Sequence, residues 1–237
     1  MIFAAGKGTR LKPLTNNTPK ALVKVCGITL LERVLIKLKQ FGITDVIINI
    51  HYLGRDILAF LKEKKNFGIN ISISDESSML LDTGGGLAKA SSFFDDTDDF
   101  VLYNVDILSD INLFDMWCKH MHDKNLATLA VRDRQTSRYF LFDNNTMLCG
   151  WENTLTGEKI IKRNSTEPLK PYAFSGIHIV SKKIFRYMPA RGSFSITKTY
   201  LDLCSDMPIG GYVCNNSYWF DVGKHASLTE ASQHFSK

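Results

Sequence analysis

The chain has 237 residues, of which 44% are hydrophobic and 22% are charged, proportions typical of a globular protein and not of a disordered or fibrous one. No apolar run approaches the ~18 residues that a membrane span needs, and no signal peptide is visible, so we expect no membrane partner and a cytoplasmic location. The net charge of +5 allows anionic partners, but no basic stripe is interleaved with aromatic residues, so we expect no nucleic-acid partner.

Strand and helix patterns alternate through the first half of the chain. The apolar, β-branched segments predict strands at residues 1–5, 45–50, 69–75, 99–108 and 126–133. Apolar residues at helical spacing predict helices at residues 29–42, 53–64, 85–94 and 113–124. Such alternation indicates β-α-β units and a largely parallel sheet.

The rhythm changes after residue 132. Residues 137–151 predict a hairpin with an Asn-Asn turn, and the polar residues 152–171 predict an irregular excursion or mobile loop. A strand at 172–181, a helix within 193–206, two short strands within 210–223 and a closing helix at 225–236 follow. We therefore predict an α/β fold, a Rossmann-like three-layer sandwich with a mostly parallel central sheet and a small β-hairpin excursion, in one domain spanning 1–237.

The segment "AAGKGTRLKPLTNNTPKAL", residues 4–22, directly follows the first predicted strand. It contains two glycines, four basic residues and no acidic residue. Open α/β sheets bind ligands at the carboxyl ends of their strands, and a glycine-rich loop there lets backbone N–H groups approach phosphate oxygens. The P-loop pattern does not fit, and Leu11 occupies the third glycine position of the dinucleotide pattern. The segment predicts a phosphate site with Lys7, Arg10 and Lys20 around it.

The same segment resembles the signature of the sugar-1-phosphate nucleotidyltransferases, A-A-G-x-G-T-R-L-x-P-L-T followed by P-K. "LLDTGGGLAKA" is similar to the family's second glycine loop, which approaches the nucleotide base. The resemblance implies catalytic roles for Arg10 and Lys20. It implies a nucleotide-binding set of Ala4, Ala5, Gly6, Gly8, Thr9, Arg10, Lys20, Gly84 and Gly85.

The resemblance also implies a metal site and a sugar site. "FVLYNVDIL" and "WFDVGKHASL" resemble the segments that carry the family's metal-binding residues, which gives Asp106 and Asp221 as ligands of Mg²⁺. The sugar-binding residues implied are Asn104, Tyr139, Glu152, Asn153 and Gly176.

Three positions depart from the family's pattern. Val105 and Phe140 stand where members of the family have glycine, and Asn153 stands where a lysine would contact the sugar phosphate. Three lysines of the polar excursion could supply the missing charge: Lys159, Lys162 and Lys170.

The resemblance implies an Mg²⁺-dependent nucleotidyltransferase that converts a nucleoside triphosphate and a sugar-1-phosphate into a nucleotide sugar and pyrophosphate. Residues 1–132 would form the nucleotide-binding half, and residues 133–237 the sugar-binding half with the closing helix. The segments "DTGGG" and "HYLG" resemble those of N-acetylmuramate 1-phosphate uridylyltransferases within the family. Two alternatives stay open, a cytidylyltransferase acting on an alcohol phosphate such as phosphocholine, and a non-catalytic sensor that binds a nucleotide sugar.

Overall fold

The computed structural model describes residues 1–236, which form six α-helices and fourteen β-strands. In chain order the elements begin with β1 (Ile2–Phe3), β2 (Lys24–Val25), β3 (Ile28–Thr29), α1 (Leu30–Gln40), β4 (Asp45–Ile50), α2 (Gly54–Glu63) and β5 (Asn70–Asp75). They continue with α3 (Asp82–Lys89), β6 (Asp99–Asn104), β7 (Ile107–Ser109), α4 (Leu113–Asp123), β8 (Ala127–Arg132), β9 (Arg138–Phe142) and β10 (Leu148–Asn153). The last are β11 (Glu158–Ile161), β12 (Lys170–Ser181), α5 (Ile196–Leu203), β13 (Ile209–Val213), β14 (Trp219–Asp221) and α6 (His225–Phe235).

The chain forms two compact units. The first unit contains residues 1–81, residues 103–110 and the described residues from 218 onward. The second unit contains Asp82–Leu102 and Ile111–Ser217. Our assignment of 1–237 to one domain, with halves 1–132 and 133–237, stays a prediction.

The first unit is built on parallel strands with β1 in the middle. Ile2 of β1 pairs with Ile48 on one side and with Tyr103 on the other, and β5 pairs in parallel with β4. Helix α1 begins after Thr29, whose side chain accepts a hydrogen bond from the backbone N–H of Glu32. The helix buries five apolar residues at helical spacing, namely Leu30, Leu31, Val34, Leu35 and Leu38.

The second unit is a mixed sheet around its longest strand, β12. Strand β12 pairs antiparallel with β8 and with β9, while β13 pairs in parallel with β8. Strand β10 pairs antiparallel with β9 and β11, which forms the predicted hairpin excursion. The predicted α/β class is therefore confirmed, with the parallel strands concentrated in the first unit.

The helix predicted at 85–94 is Asp82–Lys89 followed by a separate 3-10 turn at Ser91–Phe94, and three other predicted elements also differ from the structure. The strand predicted at 1–5 is only Ile2–Phe3, and the strand predicted at 99–108 is broken into β6 and β7. The excursion at 152–171 is more regular than predicted, because Gly157, at φ 72°, ends a tight turn from which β11 pairs back onto β10. Within residues 1–236 no helix is long and apolar enough to cross a membrane, and the cytoplasmic location stays a prediction.

A buried histidine in the second unit links β12 to α5. His178 is 1% exposed, and its Nδ1 lies 2.8 Å from the hydroxyl oxygen of Tyr200, in a hydrogen bond. The ring of Phe174 packs edge-on against the imidazole at 4.7 Å. Desolvation by burial lowers the pKa of His178 to about 3, so the imidazole stays neutral in the folded chain at neutral pH.

We expect His178 to make the fold sensitive to acid. Between about pH 6.5 and 3 the unfolded chain binds a proton here that the folded chain does not, so stability falls as the pH falls. Between about pH 6 and 4 the free energy of unfolding should fall more steeply in the parent than in His178→Gln, by about 1.4 kcal/mol per pH unit. Urea unfolding at a series of pH values measures this difference. His122→Gln, at a side chain 88% exposed, should keep the parental slope, and an equal slope in His178→Gln would contradict the prediction.

Candidate active site

The glycine-rich segment after β1 is held in place at several points, all within the first unit. Leu11 is fully buried and fixes the middle of the segment in the core. The Thr15 hydroxyl donates to the carbonyl of Gly8 at 2.8 Å, and the Tyr52 hydroxyl donates to the carbonyl of Asn16 at 2.7 Å. His225 of α6 donates from Nε2 to the carbonyl of Lys12 at 2.8 Å. The segment is therefore an ordered loop whose backbone geometry is set before any ligand arrives.

A buried polar chain supports the start of this loop. The backbone N–H of Ala4 donates to Oδ1 of Asn49 at 2.7 Å, and Nδ2 of Asn49 donates to Oε1 of Glu76 at 2.7 Å. The other carboxylate oxygen of Glu76 accepts from the backbone N–H of Leu81 at 3.1 Å. Asn49 and Glu76 are 3% and 0% exposed, so these bonds satisfy groups that would be costly to bury unpaired. Neither Asn49 nor Glu76 was predicted from the sequence as part of the site.

Gly8 leaves room for the side chain of Lys20. Its φ of 64° lies in the left-handed region, and a Cβ at this position would lie 2.9 Å from the Thr15 methyl group and 3.1 Å from Cβ of Lys20. Lys20 begins a short 3-10 turn, Lys20–Leu22, directly after the buried Pro19. The lysine stem thus lies against the backbone of the glycine loop, as the predicted phosphate site requires.

Lys20 and Asp106 form an ion pair. Nζ of Lys20 contacts Oδ2 of Asp106, and the two side chains are 14% and 15% exposed. Asp106 lies at the break between β6 and β7, where its backbone carbonyl accepts a hydrogen bond from the N–H of Val222 at 2.8 Å. Because Val222 directly follows Asp221, this bond holds the backbones of Asp106 and Asp221 close together.

Asp221 lies beside Asp106 because β14 pairs antiparallel with β7, with Asp221 opposite Ile107. Oδ1 of Asp221 is buried without a hydrogen-bond partner. Burial raises the pKa of Asp221, and the Asp106 carboxylate raises it further, while Lys20 and Arg10 oppose the rise. The carboxylates of Asp106 and Asp221 therefore lie together in one partly buried site.

Gly223 allows Arg10 to approach Asp221. A Cβ at Gly223 would lie 2.7 Å from Oδ1 of Asp221 and 2.8 Å from Nη2 of Arg10, so any side chain would displace one of them. The structure thus brings together four predicted residues of the first unit, Arg10, Lys20, Asp106 and Asp221.

The donor set in this cluster suits a hard divalent cation. Among the described residues, no group of three or more His, Cys, Asp or Glu side chains is placed to hold a metal ion. Two carboxylates, one with an unpartnered buried oxygen, fit Mg²⁺, which takes few protein ligands and completes its shell with water and phosphate oxygens.

The other predicted nucleotide-binding residues lie in two places. In the first unit Ala4 and Ala5 are buried, Gly8 is half-buried, and Gly6 and Thr9 are exposed. In the second unit, the N–H groups of Gly84 and Gly85 both donate to the carbonyl of Phe194, at 2.8 and 3.2 Å. A Cβ on Gly84 would lie 2.4 Å from the ring of Phe194, so this contact itself requires glycine. Their contact with a nucleotide stays a prediction.

The predicted sugar-binding residues are also divided between the units. Asn104 ends β6 in the first unit, where its Oδ1 is buried without a partner. In the second unit, Gly176 has a φ of 77° inside an irregular stretch of β12. Glu152 pairs across the strands with Tyr139, and Asn153 pairs with Arg138. Their contact with a sugar stays a prediction.

A lysine of the excursion lies next to Glu152. Lys159 of β11 stands directly opposite Glu152 of β10, and Nζ lies 3.5 Å from Oε2. Lys170 stands opposite Phe142, and Lys162 donates its backbone N–H to Cys149. Of the three candidate lysines, Lys159 therefore has an observed contact with a predicted sugar-binding residue.

The contacts of Gly8 give a direct test of the loop geometry. Gly8→Ala should lower the free energy of unfolding by about 1 to 2 kcal/mol, because alanine is strained in the left-handed region and its methyl group meets Thr15 and Lys20. Gly6→Ala is the matched control, since a Cβ at Gly6 would find nothing within 4 Å. It should change stability by less than about 0.5 kcal/mol. Urea unfolding compares the two variants, and equal stabilities would refute the tight packing of the loop.

Comparison with known proteins identifies the family to which this chain belongs. The chain matches, over residues 1–237, the family described as nucleotidyl transferase. The N-acetylmuramate alpha-1-phosphate uridylyltransferase of Caulobacter vibrioides is 30% identical over 230 residues, covering 94% of this chain and 90% of that protein. The UTP–glucose-1-phosphate uridylyltransferase of Synechocystis sp. is 27% identical over 94% of this chain, which spans 60% of that enzyme's length.

Solved structures share the fold. HddC from Yersinia pseudotuberculosis, complexed with GMP-PN, aligns with a TM-score of 0.79 over 99% of this chain and 97% of that one, at 19% identity. The Rossmann-like α/β class predicted from the sequence is therefore confirmed by structure as well. The chain belongs to the nucleotidyl transferase family, and the prediction of a nucleotidyltransferase is confirmed.

Proposed function

We propose that the protein transfers a nucleotidyl group from a nucleoside triphosphate to a sugar-1-phosphate, forming a nucleotide sugar and pyrophosphate. The observation that carries this proposal is the meeting of Arg10, Lys20, Asp106 and Asp221. Two glycines make room for it, because a Cβ at Gly8 would crowd Lys20 and a Cβ at Gly223 would displace Arg10 or Asp221. A protein that only binds nucleotide sugars has no need of two adjacent carboxylates, so the cluster favours catalysis over sensing.

The reaction joins two anions, so its barrier is largely electrostatic. An oxygen of the sugar phosphate attacks the α-phosphorus, the bond from that phosphorus to the bridging oxygen breaks, and pyrophosphate leaves. The substrate brings its own nucleophile, so the protein's part is positioning and charge neutralisation. Arg10 is exposed at the loop and can bind phosphate oxygens through two parallel N–H groups, and Lys20 supplies a point charge.

Asp106 and Asp221 are the residues that would hold Mg²⁺. A bound divalent ion neutralises phosphate charge and polarises phosphoryl oxygens. The protein contributes the two carboxylates at fixed positions, since the strand pair β7–β14 and the Val222–Asp106 bond hold their backbones together.

A relative of nearly the same length suggests which substrates to assay first. The uridylyltransferase of Caulobacter vibrioides covers nearly the same length as this chain, so UTP and N-acetylmuramate 1-phosphate form the first pair to assay. The second candidate, a cytidylyltransferase acting on an alcohol phosphate, is distinguished by CTP with phosphocholine in the same assay.

A matrix assay tests the function. UTP, GTP, CTP, ATP and dTTP are each combined with a panel of sugar-1-phosphates, and pyrophosphate release is measured with MgCl₂ and with excess EDTA. We expect release that needs a sugar-1-phosphate and is lost in EDTA. Release with phosphocholine and CTP alone would favour the second candidate, and no release from any pair would refute catalysis.

Substitution of Asp106 and Asp221 tests their roles in the reaction separately. Asp106→Asn and Asp221→Asn should each lower kcat by about 100- to 1,000-fold while circular dichroism stays parental, because each removes a charge that the reaction needs. Asp110→Asn, at an exposed residue four positions after Asp106, is the matched control and should keep parental activity. Parental kcat in either active-site variant would remove that residue from the metal site.

A further inference from the structure

Lys20 takes part in a contact that the transfer reaction does not require. Its ammonium pairs with Oδ2 of Asp106, a residue that the proposed function assigns to a divalent ion. An ammonium group and a divalent cation compete for the same carboxylate oxygen, since both bind it through its negative charge. The ion pair therefore opposes metal binding at Asp106.

The geometry holds Lys20 at this position. The lysine stem lies over Gly8, and the pair is mostly shielded from water, with side chains 14% and 15% exposed. A shielded pair is screened less by solvent and salt than a surface pair. The ion pair between Lys20 and Asp106 is therefore a persistent feature of the site.

The charge balance of the cluster also opposes the binding of a divalent cation alone. Two cations, Arg10 and Lys20, face two carboxylates, Asp106 and Asp221, so the cluster is close to neutral as it stands. A divalent cation added alone would leave an excess of positive charge. A triphosphate that arrives with its metal brings the negative charge that Lys20 and Arg10 can bind instead.

We propose that Lys20 withholds Asp106 from divalent cations until a triphosphate draws its ammonium away, so that the metal is accepted together with the nucleotide. This inference rests on the proposed function, because it takes Asp106 as a metal ligand. Lys20 then has two roles in sequence, as the counter-ion of Asp106 and as a phosphate ligand.

Binding of Mn²⁺ to the protein without nucleotide tests this inference. The probe is free Mn²⁺, counted by electron paramagnetic resonance as it is titrated with the full chain. Lys20→Met keeps the apolar stem over Gly8 and removes the charge, and Lys20→Gln is a second neutral variant in case the first does not fold. We expect either one to bind Mn²⁺ about tenfold more tightly than the parent, because an opposite charge within contact distance shifts a carboxylate's cation affinity by at least that factor.

Two controls separate this mechanism from a general effect of charge. Lys24→Met removes the same charge at an exposed position four residues later and should bind Mn²⁺ like the parent. Adding Asp106→Asn to Lys20→Met should abolish the gain. Equal affinity in the parent and both Lys20 variants, an equal gain in Lys24→Met, a gain that survives Asp106→Asn, or no binding in any variant would each overturn the proposal.

This test is independent of the proposed function. It uses neither nucleotide nor sugar, so a failure to tighten Mn²⁺ binding refutes the role of Lys20 alone. A failure of pyrophosphate release in the matrix assay refutes the transfer reaction, whatever Mn²⁺ does.

Discussion

The candidate site depends on a strand of two residues that is paired on both sides. Phe3 stands opposite Asn49 of β4 and opposite Asn104 of β6, so the chain leaves β1 at a fixed point between two parallel strands. At that point the next N–H, that of Ala4, is captured by the side chain of Asn49. The glycine loop starts there, and Asp106 follows two residues after Asn104. Parallel pairing thus brings residues a hundred positions apart to one edge of the sheet.

Close approach of charges explains why small residues surround the cluster. At Gly8 a methyl group would meet the stem of Lys20, and at Gly223 it would meet both Asp221 and Arg10. Because neither glycine carries a side chain, Lys20 can lie against the backbone at Gly8, and Arg10 and Asp221 can lie against the backbone at Gly223. In the proposed reaction the same proximity keeps both cations inside the site, so the Lys20 ammonium has only to pass from the Asp106 carboxylate to a phosphate oxygen.

The features that could be predicted from the sequence are those that depend on local residue patterns and on the family resemblance. Strand and helix alternation predicted the elements of the first half of the chain, and the family resemblance predicted Arg10, Lys20, Asp106 and Asp221, which the structure brings together. The supports were missed, because the hydrogen bonds that tie the loop to Asn49, Tyr52 and His225 join residues that have no periodicity in common. The break after β6 was missed for a related reason, since Val222, far along the chain, binds the carbonyl of Asp106. Strand β11 was missed because its polar sequence resembles a loop.

The departure at Asn153 is best understood through strand register. Successive residues of a strand point to opposite faces, so Glu152 and Asn153 do not share a face, whereas residues directly opposite each other on neighbouring strands do. Tyr139, Glu152 and Lys159 form such a row across β9, β10 and β11, and Arg138, Asn153 and Glu158 form the row on the other face. A lysine at 153 would therefore lie on the face opposite to Glu152. Lys159 places an ammonium on the same face, 3.5 Å from the Glu152 carboxylate, in the row that also contains Tyr139. Such a row combines the hydroxyl-binding and phosphate-binding groups that a sugar phosphate needs, which makes Lys159 the strongest of the three candidates for the missing charge.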